Sequence, residues 1–337
     1  MTLHTLGPVL LVGGTGTVGR LAAQALRRLH PSLPLAIGGR DLGKAEALTR
    51  ELGDGVTAVA VDLDRPGLGL ASGTSYGALV LFVKDHGLHA MRHAQATGAA
   101  LLGISSGSFE VAPEVARFIS RPKAAPVLML SHWLAGAALF PALQAAREFE
   151  RLERIEIGAV LDEQDLGGPA AHADFERLTT AAPHAQILRQ GRWGWATGAD
   201  ARRRFRRVDG VEVEGTAYAP LDTMSLATAT GAADVRFDLV LGESSSRHRG
   251  EPYSTEILIE LAGLLKQGGP GRRRLELVHP LGQAPLTAMG VAVAVERLLG
   301  CAGGAPVAPG LYLPEVLIDP EHAVQRLQAA GARLRLA

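Results

Sequence analysis

The stretch Gly14-Thr15-Gly16-Thr17-Val18-Gly19 directly follows the apolar run Pro8-Val9-Leu10-Leu11-Val12-Gly13. The run predicts a buried strand, and the apolar residues between positions 18 and 29 recur with the period of an amphipathic helix. A strand, a glycine-rich turn and a helix in this order are typical of a dinucleotide-binding unit. The glycines permit a tight turn, a close approach of the pyrophosphate and close helix packing, while the first helical amides face the anion. The predicted cofactor-binding residues of this turn are Gly13, Gly14, Thr15, Gly16, Thr17, Val18 and Gly19.

The residues after the second predicted strand (33–37) bear on which dinucleotide binds. An NAD site usually carries an acidic residue about 20 positions beyond the motif, where it binds the ribose 2′-hydroxyl. Here Arg40 follows Gly39, and Lys44 lies one helical turn later. A guanidinium in that place would pair with the 2′-phosphate of NADP, so Gly39, Arg40 and Lys44 are predicted to bind cofactor and NADP is favoured over NAD. Two alternatives stay open: Arg40 is a solvated residue before a helix capped by Asp41, or Asp41 itself binds the ribose.

Length and composition limit the classes of protein that fit. A chain of 337 residues suits two domains, and 41 glycines with 4% aromatic residues favour a turn-rich α/β protein. The formal net charge of zero gives no indication of a nucleic-acid or acidic-membrane partner. The single cysteine, Cys301, excludes an internal disulfide framework and a cysteine zinc cluster.

Residues 124–146 carry no charge and need testing as a membrane span. Pro126, Gly136 and Pro141 interrupt the segment, so we predict a strand followed by a helix and no membrane partner. The N-terminal sequence lacks the basic n-region of a signal peptide, which favours a cytoplasmic location.

The first part of the chain alternates between strand and helix patterns, which predicts a doubly wound parallel sheet. After about residue 134 hairpin signals predominate, which predicts an inserted antiparallel α+β substrate domain. The predicted domains are therefore a Rossmann-type domain over 1–133, the substrate or dimerisation domain over 134–286, and elements over 287–337 that return to the first domain. Further predicted strands cover 56–61, 78–83, 99–104, 127–130, 155–161, 202–208, 211–218, 235–241 and 275–279. Predicted helices cover 86–97, 113–119, 171–180, 221–229, 253–266, 287–299 and 320–329.

Several segments resemble the saccharopine dehydrogenase-like oxidoreductases, in particular short bacterial members. They are GGTGTVGR at 13–20, GGRDLGKAEAL at 38–48, the strand end at 62–64, the turn at 131–136, and the segments at 286–288 and 309–315. The resemblance implies a nucleotide domain with an inserted substrate domain, and hydride transfer to an imine of a 2-oxo acid and an amine. It places residues 14–18 on the pyrophosphate, Arg40 on the 2′-phosphate, Asp62 and Leu63 beside the adenine, and Val83 near the nicotinamide-side ribose. The chain departs from the family at 84–86, where small and proline residues are commoner.

Three ionisable residues are the catalytic candidates. Lys84 and His86 follow the fourth predicted strand, at the edge where doubly wound sheets bind ligands. Either could donate a proton during hydride transfer or hold a substrate carboxylate; the alternative is a solvated strand end with Asp85 capping the next helix. His132 follows the sixth predicted strand and is a similar candidate, unless it is a buried histidine bonded to a backbone carbonyl.

Other patterns in the sequence give weaker indications of function. None of the four tyrosines is followed by a lysine four residues later, so the mechanism of short-chain dehydrogenases is excluded. His86, His89 and His93 share a helix face, but no carboxylate joins them, and we predict no metal site. The arginine-rich run at 202–207 fits a solvated sheet face better than a site for substrate carboxylates, and Trp193 and Trp195 fit either a pocket wall or a core.

These patterns together predict an NADPH-dependent oxidoreductase. It would transfer hydride to an imine or carbonyl of a small, polar, carboxylate-bearing substrate, with Lys84, His86 or His132 supplying the proton. The alternatives are a non-catalytic NADP-binding redox sensor and a ketone or enoyl reductase on the same scaffold. A homodimer is predicted from the prevalence of such oligomers.

Overall fold

The computed structural model describes residues 7–165 and 167–337, and the chain divides into two compact units. The first unit runs to Ser131 and includes Ala288–Ile318. The second comprises His132–Thr287 and Asp319–Ala337. The sequence had predicted that all of 287–337 returns to the first domain, whereas the last segment clusters with the second unit because its strand pairs there.

The first unit is built on a seven-stranded sheet in which every neighbouring pair is parallel. Its strands are β1 (Val9–Val12), β2 (Leu35–Gly39), β3 (Val56–Ala60), β4 (Ala78–Leu81), β5 (Ala100–Gly103), β6 (Pro126–Met129) and β15 (Gly310–Tyr312). The spatial order is β15-β6-β5-β4-β1-β2-β3, so the order reverses beside β1, which is the doubly wound arrangement that the sequence predicts. Its helices are α1 (Thr17–Leu29), α2 (Leu42–Leu52), α3 (His89–Thr97), α4 (Val111–Ile119) and α10 (Pro314–Leu317), and α9 (Gln283–Leu299) contributes its residues from Ala288 onward.

The central strands of this sheet are short and apolar, and both of their faces are covered. β1 and β4 are buried along their whole length, as expected of central parallel strands. Helix α1 packs through small residues, since Gly19, Ala22, Ala23 and Ala25 are buried with Leu26. At its end, His30 Nε2 lies 2.7 Å from Glu296 Oε1 of α9, and both groups are buried.

The second unit is built on a nine-stranded sheet. Its strands are β7 (Phe149–Asp162), β8 (Gln186–Arg189), β9 (Arg192–Trp195), β10 (Arg202–Arg206), β11 (Glu212–Ala217), β12 (Asp234–Gly242), β13 (Thr255–Leu265), β14 (Pro270–His279) and β16 (Arg333–Leu336). The main order is β10-β11-β12-β7-β13-β14-β16, and the hairpin β8-β9 is attached to β12. The sequence predicts an antiparallel sheet here, and most neighbours are antiparallel, but β12 and β7 are parallel over nine residue pairs, so the sheet is mixed. Its helices are α5 (Leu139–Ala146), α6 (Pro169–Ala181), α7 (Asp222–Thr230), α8 (Ser245–His248) and α11 (Pro320–Ala329).

The predicted helix over 253–266 is wrong, because those residues form the central strand β13. β13 pairs with β7 on one side and with β14 on the other, and its first five residues are all buried. A strand buried on both faces shows no alternation, so its apolar run cannot be told from a buried helix by periodicity alone. The helix predicted from residue 86 begins at His89, since Leu88 has a left-handed backbone at φ 53°.

Phe205 anchors the hairpin β10-β11 to the sheet of the second unit. Its ring fills the space beside Gly158 and Gly215, where an added Cβ would come within 2.5 Å and 2.8 Å of ring atoms. Only 5% of Phe205 is exposed, whereas Arg204 beside it is exposed. The ring therefore needs two glycines opposite it, and the hairpin has no comparable apolar contact elsewhere on β10.

Truncation of Phe205 tests this anchor. Phe205→Ala should lower the free energy of unfolding by about 3–5 kcal/mol, because it removes a buried ring and leaves a cavity. The matched control is Arg204→Ala on the same strand, which should change it by less than about 0.5 kcal/mol. Urea unfolding monitored by circular dichroism measures both, and equal midpoints for the two variants would contradict the anchoring role.

Candidate active site

The glycine-rich turn joins β1 to α1 with almost no space between them. Gly13 has a left-handed backbone at φ 82°. An added Cβ would lie 2.7 Å from the Leu11 carbonyl oxygen at Gly14, and 2.5 Å from the Gly13 carbonyl oxygen at Gly19. At Gly16 an added Cβ would have one neighbour within 4 Å among residues 7–165 and 167–337, the Gly13 carbonyl oxygen at 3.2 Å, so the outer side of this residue is open. The first and third glycines of the motif serve packing, and the second leaves room for a ligand.

The N-terminus of α1 fits the pyrophosphate of a dinucleotide. Gly16 is the N-cap residue, and within the described chain no side chain caps the first amides. The first turn also contains no acidic residue. Free amides and an open glycine at the positive end of a 13-residue helix suit an anion. Val83, which follows the neighbouring strand β4, lies beside this turn, since its Cγ1 would be 3.4 Å from a Cβ added at Gly13.

Two charged residues, Arg40 and Asp41, follow the end of β2 and have different surroundings. Asp41 caps α2, with Oδ1 accepting from the Lys44 amide at 3.1 Å and Oδ2 lying 3.7 Å from Lys44 Nζ. Arg40 is exposed and forms no hydrogen bond or ion pair with the residues that the structure describes. Gly39 lies beside Thr15, whose Oγ1 would be 3.8 Å from an added Cβ. Asp41 has therefore taken the capping role, and Arg40 remains available to a ligand.

The residues predicted beside the adenine follow β3. Asp62 Oδ1 accepts a hydrogen bond from the Asp64 amide at 3.0 Å, which shapes the turn. Leu63 and Val83 are partly buried against the same apolar core cluster. The structure thus packs both residues against the cluster that also contains Leu68 and buried residues of α3, while their roles toward a cofactor stay predictions.

Lys84 is the centre of a polar cluster at the carboxyl ends of β4 and β5. Its ammonium donates to Ser106 Oγ and to Glu114 Oε1, each at 2.9 Å, and lies 3.5 Å from Glu110 Oε2. Ser106 Oγ also makes a short hydrogen bond to Glu114 Oε1. The Lys84 side chain is only 10% exposed, so it is not the solvated strand end of the alternative interpretation.

Sequence reasoning missed the partners of Lys84. Ser106 lies in the loop after β5, Glu110 before α4 and Glu114 in the first turn of that helix. The signal available was the spacing of four between the two glutamates, which places them on one side of a turn or helix. Nothing in the local sequence links them to a lysine more than twenty residues earlier.

Asp85 and the neighbouring histidines have separate surroundings. Asp85 Oδ2 accepts from the Ala90 amide of α3 at 2.7 Å, as in the capping alternative, and the residue is 6% exposed. His86 is exposed, whereas burial lowers the pKa of His93. Across residues 7–165 and 167–337, no three His, Cys, Asp or Glu side chains are arranged to hold a metal ion.

A cavity of about 40 Å³ lies next to Lys84 within the first unit. Its apolar lining includes Leu88, Met91 and Leu101, and its polar lining includes Lys84 and Asp85. Serine hydroxyls and Glu114 complete the polar side. The cavity thus combines apolar with polar lining residues at the carboxyl edge of the sheet, where ligands of doubly wound folds bind.

His132 is buried and bonded to a hydroxyl. Its Nε2 lies 2.8 Å from Ser225 Oγ, and Nδ1 has no hydrogen-bond partner among the described residues. The next residue, Trp133, donates its amide to Asp222 Oδ2 at 2.6 Å. Burial lowers the pKa of His132 to about 3, so its imidazole is neutral near pH 7.

The arginine-rich run is divided between the two sides of its strand. Arg203 is largely buried and bonds Asp238 Oδ2 through Nε at 2.6 Å. Arg207 bonds Asp209 Oδ2 at 2.6 Å, and Arg202 and Arg204 are exposed. The buried guanidiniums already have carboxylate partners, so the run fits a structural role. Trp193 and Trp195 are both exposed on β9, 44% and 58%, and neither is a core residue.

The depressed pKa of His132 predicts a pH-dependent stability. Unfolding frees the imidazole to take up a proton below its ordinary pKa of about 6.5, whereas the folded state resists protonation down to about pH 3. The free energy of unfolding should therefore fall with pH below 6.5, by about 1.4 kcal/mol at pH 5.5 from this residue alone. His132→Gln should reduce that loss, and His184→Gln, at an exposed histidine, should not. Urea midpoints at pH 7.5 and 5.5 measure the difference, and an unchanged pH dependence in His132→Gln would contradict it.

Among the described residues, every helix is too short or too polar to cross a membrane. No protein-family model matches the chain, and no curated protein matches it.

Solved structures do match. Apo saccharopine dehydrogenase (L-Glu forming) from Saccharomyces cerevisiae superimposes with a TM-score of 0.67 at 12% sequence identity, over 98% of this chain and 100% of that chain. A putative myo-inositol dehydrogenase from Sinorhizobium meliloti has a TM-score of 0.48 at 11% identity, over 96% of this chain and 95% of that chain. A dihydrodipicolinate reductase from Paenisporosarcina has a TM-score of 0.46 at 13% identity, over 93% and 100%. The first likeness confirms the predicted architecture: the chain has the fold of saccharopine dehydrogenase.

Proposed function

We propose that the chain is an NADPH-dependent oxidoreductase of the saccharopine dehydrogenase-like type, which transfers hydride to an imine or carbonyl carbon of a small polar substrate. The observation that carries the proposal is the meeting of two features at one sheet edge. The open, uncapped turn around Gly16 at β1 suits a dinucleotide, and the buried Lys84 cluster lies at the end of the adjacent strand β4. The shared fold supports the proposal without identifying the substrate.

Different residues of the first unit would bind different parts of the cofactor. The α1 amides and Gly16 would hold the pyrophosphate, Arg40 and Lys44 the 2′-phosphate, Asp62 and Leu63 the adenine side, and Val83 the nicotinamide side. When bound, the nicotinamide supplies the hydride.

Lys84 is the proton donor that the surroundings favour. Its ammonium has three oxygen partners, which hold Nζ in one place. A positioned ammonium can give its proton to the imine nitrogen or carbonyl oxygen as hydride reaches the carbon. His132 is neutral near pH 7 because of its burial, and exposed His86 has no partner among the described residues that would orient it.

The preference for NADP rests on the different roles of Asp41 and Arg40 at the end of β2. Asp41 is engaged as the cap of α2, so its carboxylate is less available to a ribose hydroxyl, and Arg40 is free to pair with a phosphate.

Replacement of Arg40 tests the cofactor choice. Arg40→Ala should weaken NADPH binding about 10–100-fold, since a charge-assisted pair is lost, and should leave NADH binding nearly unchanged. Arg50→Ala, at a second arginine of the same region, is the control. Fluorescence titration with both dinucleotides measures the four affinities, and an equal loss for NADPH and NADH would contradict recognition of the 2′-phosphate.

Turnover tests the reaction and the role of Lys84. NADPH absorbance is followed with a panel of 2-oxo acids, each with and without a panel of amines. Oxidation that needs both components indicates imine reduction, and oxidation without amine indicates a ketone or enoyl reductase. On the substrate so found, Lys84→Met should lower kcat about 10²–10⁴-fold while the affinity for NADPH stays within about twofold. Tight NADPH binding with no turnover across the panel would favour the redox sensor.

The homodimer and the cytoplasmic location remain predictions from the sequence. Sedimentation of the purified protein measures its oligomeric state.

A further inference from the structure

The sheet of the second unit ends, within the described chain, in the strands β9, β10 and β16. β10 contains four arginines among its five residues, and β16 contains two among its four. Charged side chains on an edge strand discourage a further strand from adding to it. β9 carries one charged residue, Arg192 at its start, followed by Trp193, Gly194 and Trp195. Among these three edges, β9 therefore has the weakest protection against strand addition.

The pairing of β9 with β8 leaves backbone groups of both tryptophans at the outer edge. In the part of the chain that the structure describes, β9 pairs with β8 and with no other strand. The Ala196 amide donates to the Ala185 carbonyl oxygen at 2.8 Å, so Ala196 directs its backbone groups toward β8. These groups alternate in direction along an antiparallel strand, so Gly194 also faces β8, whereas Trp193 and Trp195 direct N–H and C=O outward.

The side chains of the two tryptophans lie on one face of β9, because alternate residues of a strand point to the same side. Trp193 is 44% exposed and Trp195 is 58% exposed, whereas Trp133 is buried. Tryptophan is enriched at protein interfaces relative to the rest of the protein surface. Two exposed indole rings beside outward backbone donors and acceptors therefore indicate an edge that another chain completes.

The order of residues on β9 suits pairing with a second copy of this chain. A two-fold axis through Gly194 would pair two β9 strands antiparallel, with Trp193 of one copy opposite Trp195 of the other. Because Trp-Gly-Trp reads the same in both directions, each tryptophan then meets a tryptophan. Each such pair exchanges both outward N–H···O hydrogen bonds, and aromatic cross-strand pairs stabilise a sheet.

Gly194 leaves room for the two strands at this axis. It would face itself as a non-hydrogen-bonded pair, in which the Cα atoms lie about 4.5 Å apart. An added Cβ at Gly194 has no neighbour within 4 Å among residues 7–165 and 167–337. No described side chain of one copy therefore fills the space beside Gly194.

Charge also favours self-pairing at β9 over self-pairing at β10. In the register centred on Gly194, Arg192 lies opposite the uncharged Ala196, so the arginines of two copies do not meet. The same arrangement about the middle of β10 would place Arg202 opposite Arg206 and Arg204 opposite itself. Like charges directly opposite each other destabilise a strand pair.

The exposed area of the two rings sets the expected strength of the association. Rings that are 44% and 58% exposed leave roughly 250 Å² per copy to be covered, since one tryptophan buries up to about 250 Å². A standard interface buries about 800 Å² per partner, so the tryptophans supply roughly a third of that area. We therefore expect a weak dimer whose fraction rises with protein concentration.

We propose that β9 is the edge through which two copies of this chain associate, with residues 193–195 paired antiparallel about a two-fold axis at Gly194. The two nine-stranded sheets then continue into each other, and the four tryptophans lie on one face. This inference goes beyond the proposed function and does not depend on it, because the glycine-rich turn and Lys84 belong to the first unit.

Sedimentation velocity of the full chain measures the association. The weight-average mass should rise from one chain toward two between about 1 µM and about 1 mM protein, as expected of a small interface. The double variant Trp193→Ser, Trp195→Ser should raise the dissociation constant at least about 10-fold. Leu241→Ser is the matched control, because Leu241 is 59% exposed on β12 of the same sheet, and it should change the constant by less than about twofold.

Cross-linking tests the register of the pair. Gly194→Cys places two thiols on the proposed axis, where a Cα separation of about 4.5 Å lies within the range of about 4.4–6.8 Å that disulfides need. Mild oxidation should convert most of this variant into a covalent dimer on a non-reducing gel. The controls are Leu241→Cys and the unaltered chain with its free Cys301, and both should stay monomeric on the gel.

Each result supports or overturns the assignment. A chain that stays monomeric up to about 1 mM would overturn it and leave β9 to a different partner protein. A dimer that the double tryptophan variant forms with unchanged affinity would place the interface elsewhere and also overturn it. Equal cross-linking of Gly194→Cys and Leu241→Cys would indicate random collision and refute the axis. If the double variant loses its circular dichroism signal, the Gly194→Cys cross-link decides, because the open surroundings of Gly194 accept a side chain.

Discussion

The close approach of α1 to β1 is the constraint on which the first unit depends. A Cβ at Gly19 would sit 2.5 Å from the Gly13 carbonyl oxygen, so the helix can reach this position only with glycine there. The approach directs the first amides of α1 past the end of β1, toward the edge where β4 also ends. A single larger side chain would push the helix away from the sheet, and the amides would no longer converge on one anion. The position of the first helix amides therefore follows from the close packing of α1 against β1. Because this packing needs glycines at fixed spacings, the motif can be recognised in a sequence.

The strands and helices of the first unit could be predicted from short stretches of sequence. In the second unit, strand pairing between distant segments decides the structure, so the sequence predicts less of it. Six strands and their helices were found because each combines an apolar run with a glycine or a polar turn. β13 was mistaken for a helix because a strand paired on both sides is apolar throughout, and only its partners β7 and β14 distinguish it. The parallel pairing of β12 with β7 likewise depends on segments some eighty residues apart.

The site shows the same division. The glycine turn and Arg40 could be predicted as candidate cofactor-binding groups from the sequence, because each is indicated by a few consecutive residues, and their role toward a cofactor stays a prediction. Lys84 could be located as a strand end, but its surroundings could not. Ser106 and Glu114 lie 22 and 30 residues further along the chain, and both accept hydrogen bonds from the Lys84 ammonium. The lysine is therefore not a free cation, because its ammonium is already bonded within the protein. A residue type at a strand end indicates a site, while its ionic partners decide what the site attracts.

The charge balance around Lys84 alters the substrate that the sequence suggests. A lysine at a strand end favours a carboxylate-bearing substrate when the lysine is considered alone. With Glu110 and Glu114 against its ammonium and Asp85 in the adjacent cavity, the site carries more negative than positive charge. An ammonium that is already paired is a weak anchor for a second anion, because the gain in attraction is offset by repulsion from the two glutamates. The same pairing holds the ammonium in one place, as proton transfer requires. One lysine cannot serve both as the anchor of an acid and as a fixed proton donor, and its partners here favour the second.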